Sequence, residues 1–420
     1  MRELPKIVTV QQEFPRPKVP SIEEAVLEQF ESRSEALPDL SGKRIAVAVG
    51  SRGISNIAPI VKSVVAALKK KGAQPFIVPA MGSHGGGTPE GQQKILENYG
   101  VSSDAMEVPI VATVETTSLG ESPEGVPLVV DSEAFQSDGI LLVNRVKPHT
   151  DFKGVVGSGL MKMIAVGLGN VQGASSFHSW IRQLGQEKLI QIRARALLET
   201  GKVIGGIALL ENAYHETAHL ELLPAEGLVE REKELLLKAK ELMPSLPVED
   251  LDILVVDQMG KNISGTGMDP NITGRWFRSS ATWQETPDIK RIVVMSLTPE
   301  SGGNAIGIGM ADFCTHKMIR QMNKSITYLN VLTSQNVIAA RLPIHFATAK
   351  ETIARAMQSL GVGCTAENVR MIRILDTLNL TRVDASESLI PELETHERVS
   401  EVSAARPMEF AKNGSLVAIG

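Results

Sequence analysis

Along most of this chain, short unbroken apolar runs alternate with stretches of helical periodicity. Arg44–Val49, Gln74–Ala80, Gly139–Val143 and Val203–Leu210 read as strands buried on both faces. Between the first two, Ile57, Ile60, Val61, Val64, Val65 and Leu68 recur at helical spacing, and Gly72 ends that helix. Thr88-Pro89-Glu90 predicts another helix start, with Thr as N-cap, Pro in the first turn and an acid beside it; Gly100 closes it. Residues 226–243 predict a charged amphipathic helix, and Pro244-Ser-Leu-Pro247 breaks the pattern. A second set then begins: strand Leu251–Val256, a glycine-rich loop, strand Arg291–Met295, a second glycine-rich stretch at 302–309, and helices. This rhythm predicts an α/β protein of two domains, 1–246 and 247–394, each with a mainly parallel sheet. The charged, proline-rich first 40 residues read as an arm or short edge element, and the tail 395–420 could pack back on the first domain.

Length supports this division, since 420 residues exceed what one core usually holds. Apolar residues make up 43% and charged residues 22%, as in soluble globular proteins. A formal net charge of −5 without a basic block argues against nucleic acid as a partner. Cys314 and Cys364 are the only cysteines, which predicts no disulfide framework and makes the cytoplasm the simplest compartment. The amino terminus lacks an apolar signal core, and no run of about 20 apolar residues predicts a membrane span.

Polar groups suited to chemistry fall just past the predicted strands. Arg52 follows 44–49, His84 follows 74–80 within Gly82-Ser-His84-Gly85-Gly86-Gly87, His149 follows 139–143, and Gln258 follows 251–256. Open α/β sheets bind ligands outside the carboxyl ends of their strands. The expectation is an active site in the interdomain cleft. Between Lys147 and His178 the chain carries Lys147-Pro148-His149, the run Gly154-Val-Val-Gly157-Ser-Gly159-Leu-Met-Lys162, and then His178. Imidazole and amine groups in glycine-laced loops serve proton transfer, metal ligation or covalent attachment. The triple glycine before a helix start also suits a phosphate, so a non-catalytic phosphate- or nucleotide-binding protein is one alternative. Another is a zinc-dependent hydrolase using His215, Glu216 and His219, which match the spacing of zinc proteases. That pattern needs one helical face, and the segment after His219 reads as extended.

Taken together, Gly82-Ser83-His84, Lys147-Pro148-His149, Lys162, His178 and Gln258-Met-Gly-Lys261 resemble the nickel-dependent lactate racemase family in order and spacing. The resemblance implies two α/β domains and a racemase or epimerase of a 2-hydroxy acid. It implies a nickel-pincer nucleotide, a pyridinium-3-thioamide-5-thiocarboxylic acid mononucleotide carrying Ni, supplied by cofactor-assembly enzymes. In it, hydride passes reversibly to the pyridinium while two histidines act as acid and base. By that resemblance His84 and His149 are the acid/base pair, Lys162 the covalent tether and His178 the nickel ligand. Arg52 lies near cofactor and substrate, and Gln258 and Lys261 bind substrate. The chain departs from the pattern at Gly50-Ser51-Arg52, where the family has Asp and Thr before the arginine. The His149–Lys162 spacing is longer, and neither Trp276 nor Trp283 matches the family's tryptophan beside lactate. These departures surround the substrate and imply a divergent member acting on another 2-hydroxy acid.

Overall fold

The structure, a computed structural model, describes residues 3–50, 53–277 and 286–419. The chain divides into two compact units, Arg16–Met243 and a second made of Met1–Pro15 with Pro244–Gly420. Strand β1 (Lys6–Gln12) therefore opens the chain inside the sheet of the C-terminal half.

The unit 16–243 holds β2 (Arg44–Val49), β3 (Gln74–Pro79), β4 (Thr116–Glu121), β5 (Pro127–Asp131), β6 (Gly139–Arg145), β7 (Val203–Glu211) and β8 (Thr217–Pro224). Five of these form a sheet in the order β3-β2-β6-β7-β8, and β4 and β5 form a separate hairpin. The first four run parallel and β8 is an antiparallel edge. Alternate residues of each strand enter different cores. Ala46, Ala48, Phe76, Val78, Ile140 and Leu142 pack on one face. Ile45, Val47, Val49, Ile77, Leu141 and Val143 pack on the other. Both faces are covered by helices, which is why the strands read as unbroken apolar runs. Each buried Val, Leu, Ile or Phe among them contributes roughly 1.5–3 kcal/mol by leaving water.

The second unit adds β9 (Asp250–Met259), β10 (Asp288–Leu297), β11 (Phe313–Thr315), β12 (Ile344–Phe346), β13 (Met371–Ile374), β14 (Arg382–Ser386), β15 (Val399–Val402) and β16 (Arg406–Pro407). Its sheet has nine strands in the order β12-β11-β10-β9-β13-β14-β1-β15, with β16 also on β1. The five strands from β12 to β13 are mutually parallel. From β14 onward the pairing is antiparallel.

Two expectations are corrected here. The first residues are neither an arm nor an edge, because β1 is paired on both sides, by β14 and by β15. Domain 1–246 thus loses its opening strand to the other sheet. The tail, expected against the first domain, instead pairs through β15 and β16 with β1 inside the C-terminal unit. In both cases the apolar positions are visible locally, but the partner lies hundreds of residues away. The break at Pro244 coincides with the unit boundary.

Candidate active site

Three strand-end loops of the unit 16–243 meet at one short helical segment. That segment is an α-turn, Leu160–Lys162, continued by a π-helical turn, Met163–Gly167. Such π-turns are rare and concentrate at functional sites. The loop after β2 reaches it at Gly50, where a Cβ would lie 3.0 Å from Asn144 Oδ1 and 3.3 Å from Met163 Cε. The loop's far side is fixed by the Ser55 N–H donating to Glu211 Oε1 at 2.7 Å. The loop after β3 reaches it through the Gly82 N–H, which donates to Gly167 O at 3.0 Å. Next to Gly82, His84 leads into Gly85–Gly87, whose φ values of 66°, 70° and 69° are open to glycine at little cost. The loop after β6 closes on the segment by paired hydrogen bonds between Lys147 and Ser158, both 2.8 Å.

Within this junction His149 and Lys162 touch, with Nε2 and Nζ 2.6 Å apart. The Asp151 N–H donates to His149 Nδ1 at 3.0 Å, and Phe152 stacks on the ring at 4.4 Å between centroids. A backbone N–H can only donate, so Nδ1 is an acceptor and the proton of the neutral imidazole sits on Nε2. That proton points at Lys162 Nζ, which must offer a lone pair to receive it. The geometry therefore presents Lys162 as a neutral amine, the nucleophilic form. The sequence suggested separate tasks for these residues, and the structure joins them.

His178 is half-buried on the helix Asn170–Leu184, its ring edge-on to Phe177 at 6.0 Å. Two residues not singled out from the sequence hold this framework. Arg193 donates from Nη1 to Gly173 O at 2.6 Å and Ala165 O at 3.3 Å, and from Nη2 to Ser176 Oγ at 2.9 Å. It thus ties the π-turn to the helix bearing His178. Burial pulls its pKa down to about 10, which leaves it charged at neutral pH. Glu232, on the helix Leu228–Glu241, accepts from the Met161 N–H at 3.0 Å and so caps the turn that carries Lys162. Burial pushes its carboxyl up to about 7, against the pull of the Met161 and Leu160 N–H groups. A Cβ at Gly159 would come within 2.5 Å of Glu232 Oε1, so glycine makes room for this carboxyl. Glu232 does carry a sequence signal, since it shares the apolar stripe of Leu228, Leu235, Leu236 and Ala239. Arg193 carries the same kind of signal, since it lies on the stripe of Leu189, Ile190, Ala194 and Leu197 in Gln186–Glu199.

Gly157 is as constrained as Gly159. A Cβ there would meet Lys147 O at 2.4 Å and Leu236 Cδ1 at 2.9 Å. Gly157→Ala is expected to cost about 1–3 kcal/mol by forcing the paired loop apart. Thermal unfolding checks this, and an unchanged midpoint would show that the loop yields freely.

The remaining expectations divide. Arg52 and Trp283 lie outside the described residues. In the second unit, β9 runs on through Gln258, which is a strand residue paired with Ser296 and not a loop residue beyond the strand. Lys261 donates from Nζ to Gly265 O of its own loop and to Asn330 Oδ1 on the helix Lys324–Thr333, both at 3.0 Å. The zinc-hydrolase alternative fails on geometry. His215 occupies the turn between β7 and β8 with φ 58°, and His219 lies on β8 with Nε2 3.0 Å from Glu221 Oε2. Glu216 is held by Arg16 at 2.7 Å and Lys18 at 2.9 Å. Two histidines on a hairpin do not share a helical face. Among the described residues, no three His, Cys, Asp or Glu side chains converge as a metal cage. None of the described helices is long and apolar enough to cross a membrane.

Comparison with known proteins gives a family-model match and a similar fold. Residues 6–188 match the model of the lactate racemase N-terminal domain. The fold is similar to the solved lactate racemase apoprotein from Thermoanaerobacterium thermosaccharolyticum. The TM-score is 0.54 at 13% identity, over 89% of this chain and 99% of that one. No curated protein matches the chain.

Proposed function

From the match of residues 6–188 to the lactate racemase N-terminal domain, we propose that the chain belongs to the lactate racemase family and is an isomerase that racemises or epimerises a 2-hydroxy acid, with a nickel-pincer nucleotide as its cofactor. The observation that carries this reading is the 2.6 Å contact between His149 Nε2 and Lys162 Nζ at the meeting point of three loops. The donor set fits the cofactor. Lys162 supplies an amine for covalent attachment, His178 supplies an imidazole for nickel, and the glycine turn Gly85–Gly87 precedes the helix Pro89–Asn98, whose N-terminus suits a phosphate. When bound, the cofactor supplies a hydride acceptor that no side chain provides.

The chain's own groups do the proton work. A 2-hydroxy acid that loses hydride from carbon must also lose its hydroxyl proton, and histidine suits that task near neutral pH. Inversion needs such a group for each enantiomer, which gives His84 and His149 complementary roles. Lys162 and His149 are then linked in sequence. Lys162 Nζ lies against His149 Nε2; a cofactor held covalently by Nζ would take up its lone pair and so leave Nε2 available to substrate. Attachment and proton transfer thus use the same nitrogen at different times. Gln258 is assigned to the substrate, as is Lys261.

A chiral assay of protein produced with the cofactor-assembly enzymes tests this. Substituting His84 or His149 by Asn is expected to lower turnover by about 10²–10⁴-fold. The two variants should also differ in which enantiomer they still deprotonate, read by hydroxyl-proton-dependent burst kinetics from each side. Equal, small effects of both substitutions would remove the histidines from the chemistry.

A further inference from the structure

The second unit has a cavity of about 480 Å³ at the carboxyl ends of its parallel strands. Gln258 of β9, Ser296 of β10 and Thr315 of β11 line it, with Lys317 and Arg320 from the following helix and tail residues 413–416, 418 and 419. Its position is where a ligand is expected. From β9 the chain proceeds outward through β10, β11 and β12, then returns to place β13 on β9's other side. Connections leave β9 and β13 in opposite directions, and α/β sheets bind ligands at such a switch point. Residues of both strands, Gln258 of β9 and Arg373 of β13, border the cavity.

The charge in the cavity is unbalanced. Its one acidic lining residue, Asp257, is committed to Arg373, which holds it through two hydrogen bonds of 2.9 and 2.6 Å. Arg373 also meets Asp384 at 3.2 Å, Arg406 meets Asp384 at 3.1 Å, and Arg373 donates to Val417 O at 2.6 Å. Two arginines and two aspartates thus neutralise one another and fasten the tail. The hydroxyls of Ser296 and Thr315 donate to Asp257 O and Met295 O. Lys317, Arg320 and the Gln258 side-chain amide make no hydrogen bond or ion pair among the described residues, although Lys317 also feels the Asp257 carboxylate electrostatically. Two positive charges and an amide donor are left facing one cavity.

We propose that this cavity holds a small organic dianion, and that the substrate is a 2-hydroxy acid bearing a second acidic group, carboxylate or phosphate. Lys317 and Arg320 are specificity-determining residues that receive the second group, and Gln258 receives the first. Naming the ligand as substrate rests on the proposed function; the anion site stands on the second unit alone. A monoanion such as lactate leaves one of the two cations without a counter-charge.

Calorimetry of the full-length, cofactor-free chain tests the site with malate, 3-phosphoglycerate and lactate. Malate or 3-phosphoglycerate is expected to bind at least about tenfold more tightly than lactate, and added salt should narrow the difference, since both cations are exposed. The arm that binds more tightly identifies the second group as carboxylate or phosphate. The double substitution Lys317→Ala/Arg320→Ala should bring the dianion down to lactate's level, and Lys317→Arg/Arg320→Lys should restore most of it. Dianion binding no tighter than lactate's, or unaffected by the double substitution, overturns the proposal. The cofactor-loaded enzyme separates the two readings. Turnover of lactate but of neither dianion keeps the racemase and overturns the substrate class. Lys317- and Arg320-dependent binding without turnover of any hydroxy acid keeps the anion site and overturns the racemase.

Discussion

Lys162→Ala protein, produced with the cofactor-assembly enzymes, is expected to carry no covalent adduct by intact mass and to lose racemisation almost completely. The expectation follows from the contact at His149. A lysine amine in water is protonated, with an unperturbed pKa of about 10.4, and an ammonium does not attack. Here the Asp151 N–H takes up Nδ1 of His149 and leaves the Nε2 proton directed at Nζ at 2.6 Å. An ammonium at that distance would set two proton donors against each other. Lys162→Arg separates charge from nucleophilicity, because arginine keeps a cation but has no attacking amine near neutral pH. It is expected to fail as completely as alanine. His149→Gln should still form an adduct, but more slowly, since it loses only the group that holds Nζ in its reactive form. A Lys162→Arg enzyme that kept turnover within a few-fold of wild type would sink the covalent role. An adduct mapped to a different lysine would have the same consequence. Nitrogen NMR of His149 gives an independent reading: the Nε2–H tautomer is expected in the unloaded protein, and Nδ1–H would contradict the arrangement.

Much of the framework around this pair was legible in the sequence because it rests on local rules. The four apolar runs became β2, β3, β6 and β7 since a strand buried on both faces needs no alternation. Thr88 caps its helix by accepting from the Gly91 N–H at 3.1 Å, as the Thr-Pro-Glu start implied. What escaped the sequence depends on distant partners. Nothing near Lys6–Gln12 shows that its partners are Arg382–Ser386 and Val399–Val402. Spacing put His149 and Lys162 in one glycine-rich stretch but could not show that the loop doubles back at Lys147 and Ser158 to bring the side chains together. The apolar stripe of its helix marks Arg193 as inward-facing, but its three acceptors were hidden for the same reason, lying on segments that only the tertiary fold gathers.

Glu232 is the case in which sequence, packing and titration bear on one measurement. Its carboxyl is fully buried, and burial raises its pKa from 4.5 to about 7. A carboxyl whose folded pKa is raised binds its proton more tightly in the folded state. The protein therefore gains stability that is complete below about pH 4.5 and is lost as pH rises through about 7. A rise of this size is worth on the order of 3 kcal/mol. Glu232→Gln keeps the shape and one acceptor for the Met161 N–H while removing the titration. Its stability is expected to change less than wild type between those two pH values, with a relative gain on the alkaline side. Glu232→Ala removes the acceptor altogether and leaves the Met161 N–H unsatisfied beside a cavity, at a cost of about 2–4 kcal/mol. Denaturant unfolding across the pH range measures all three proteins, and parallel pH curves for wild type and Glu232→Gln would refute the assignment. The turn that Glu232 caps carries Lys162, so the same titration should reach the site. Adduct formation in wild type is expected to fall above about pH 7, where ionising the buried carboxyl costs the folded state stability even though the Leu160 and Met161 N–H groups favour the ionised form. In Glu232→Gln that fall should be absent, which separates a positioning role from simple loss of fold.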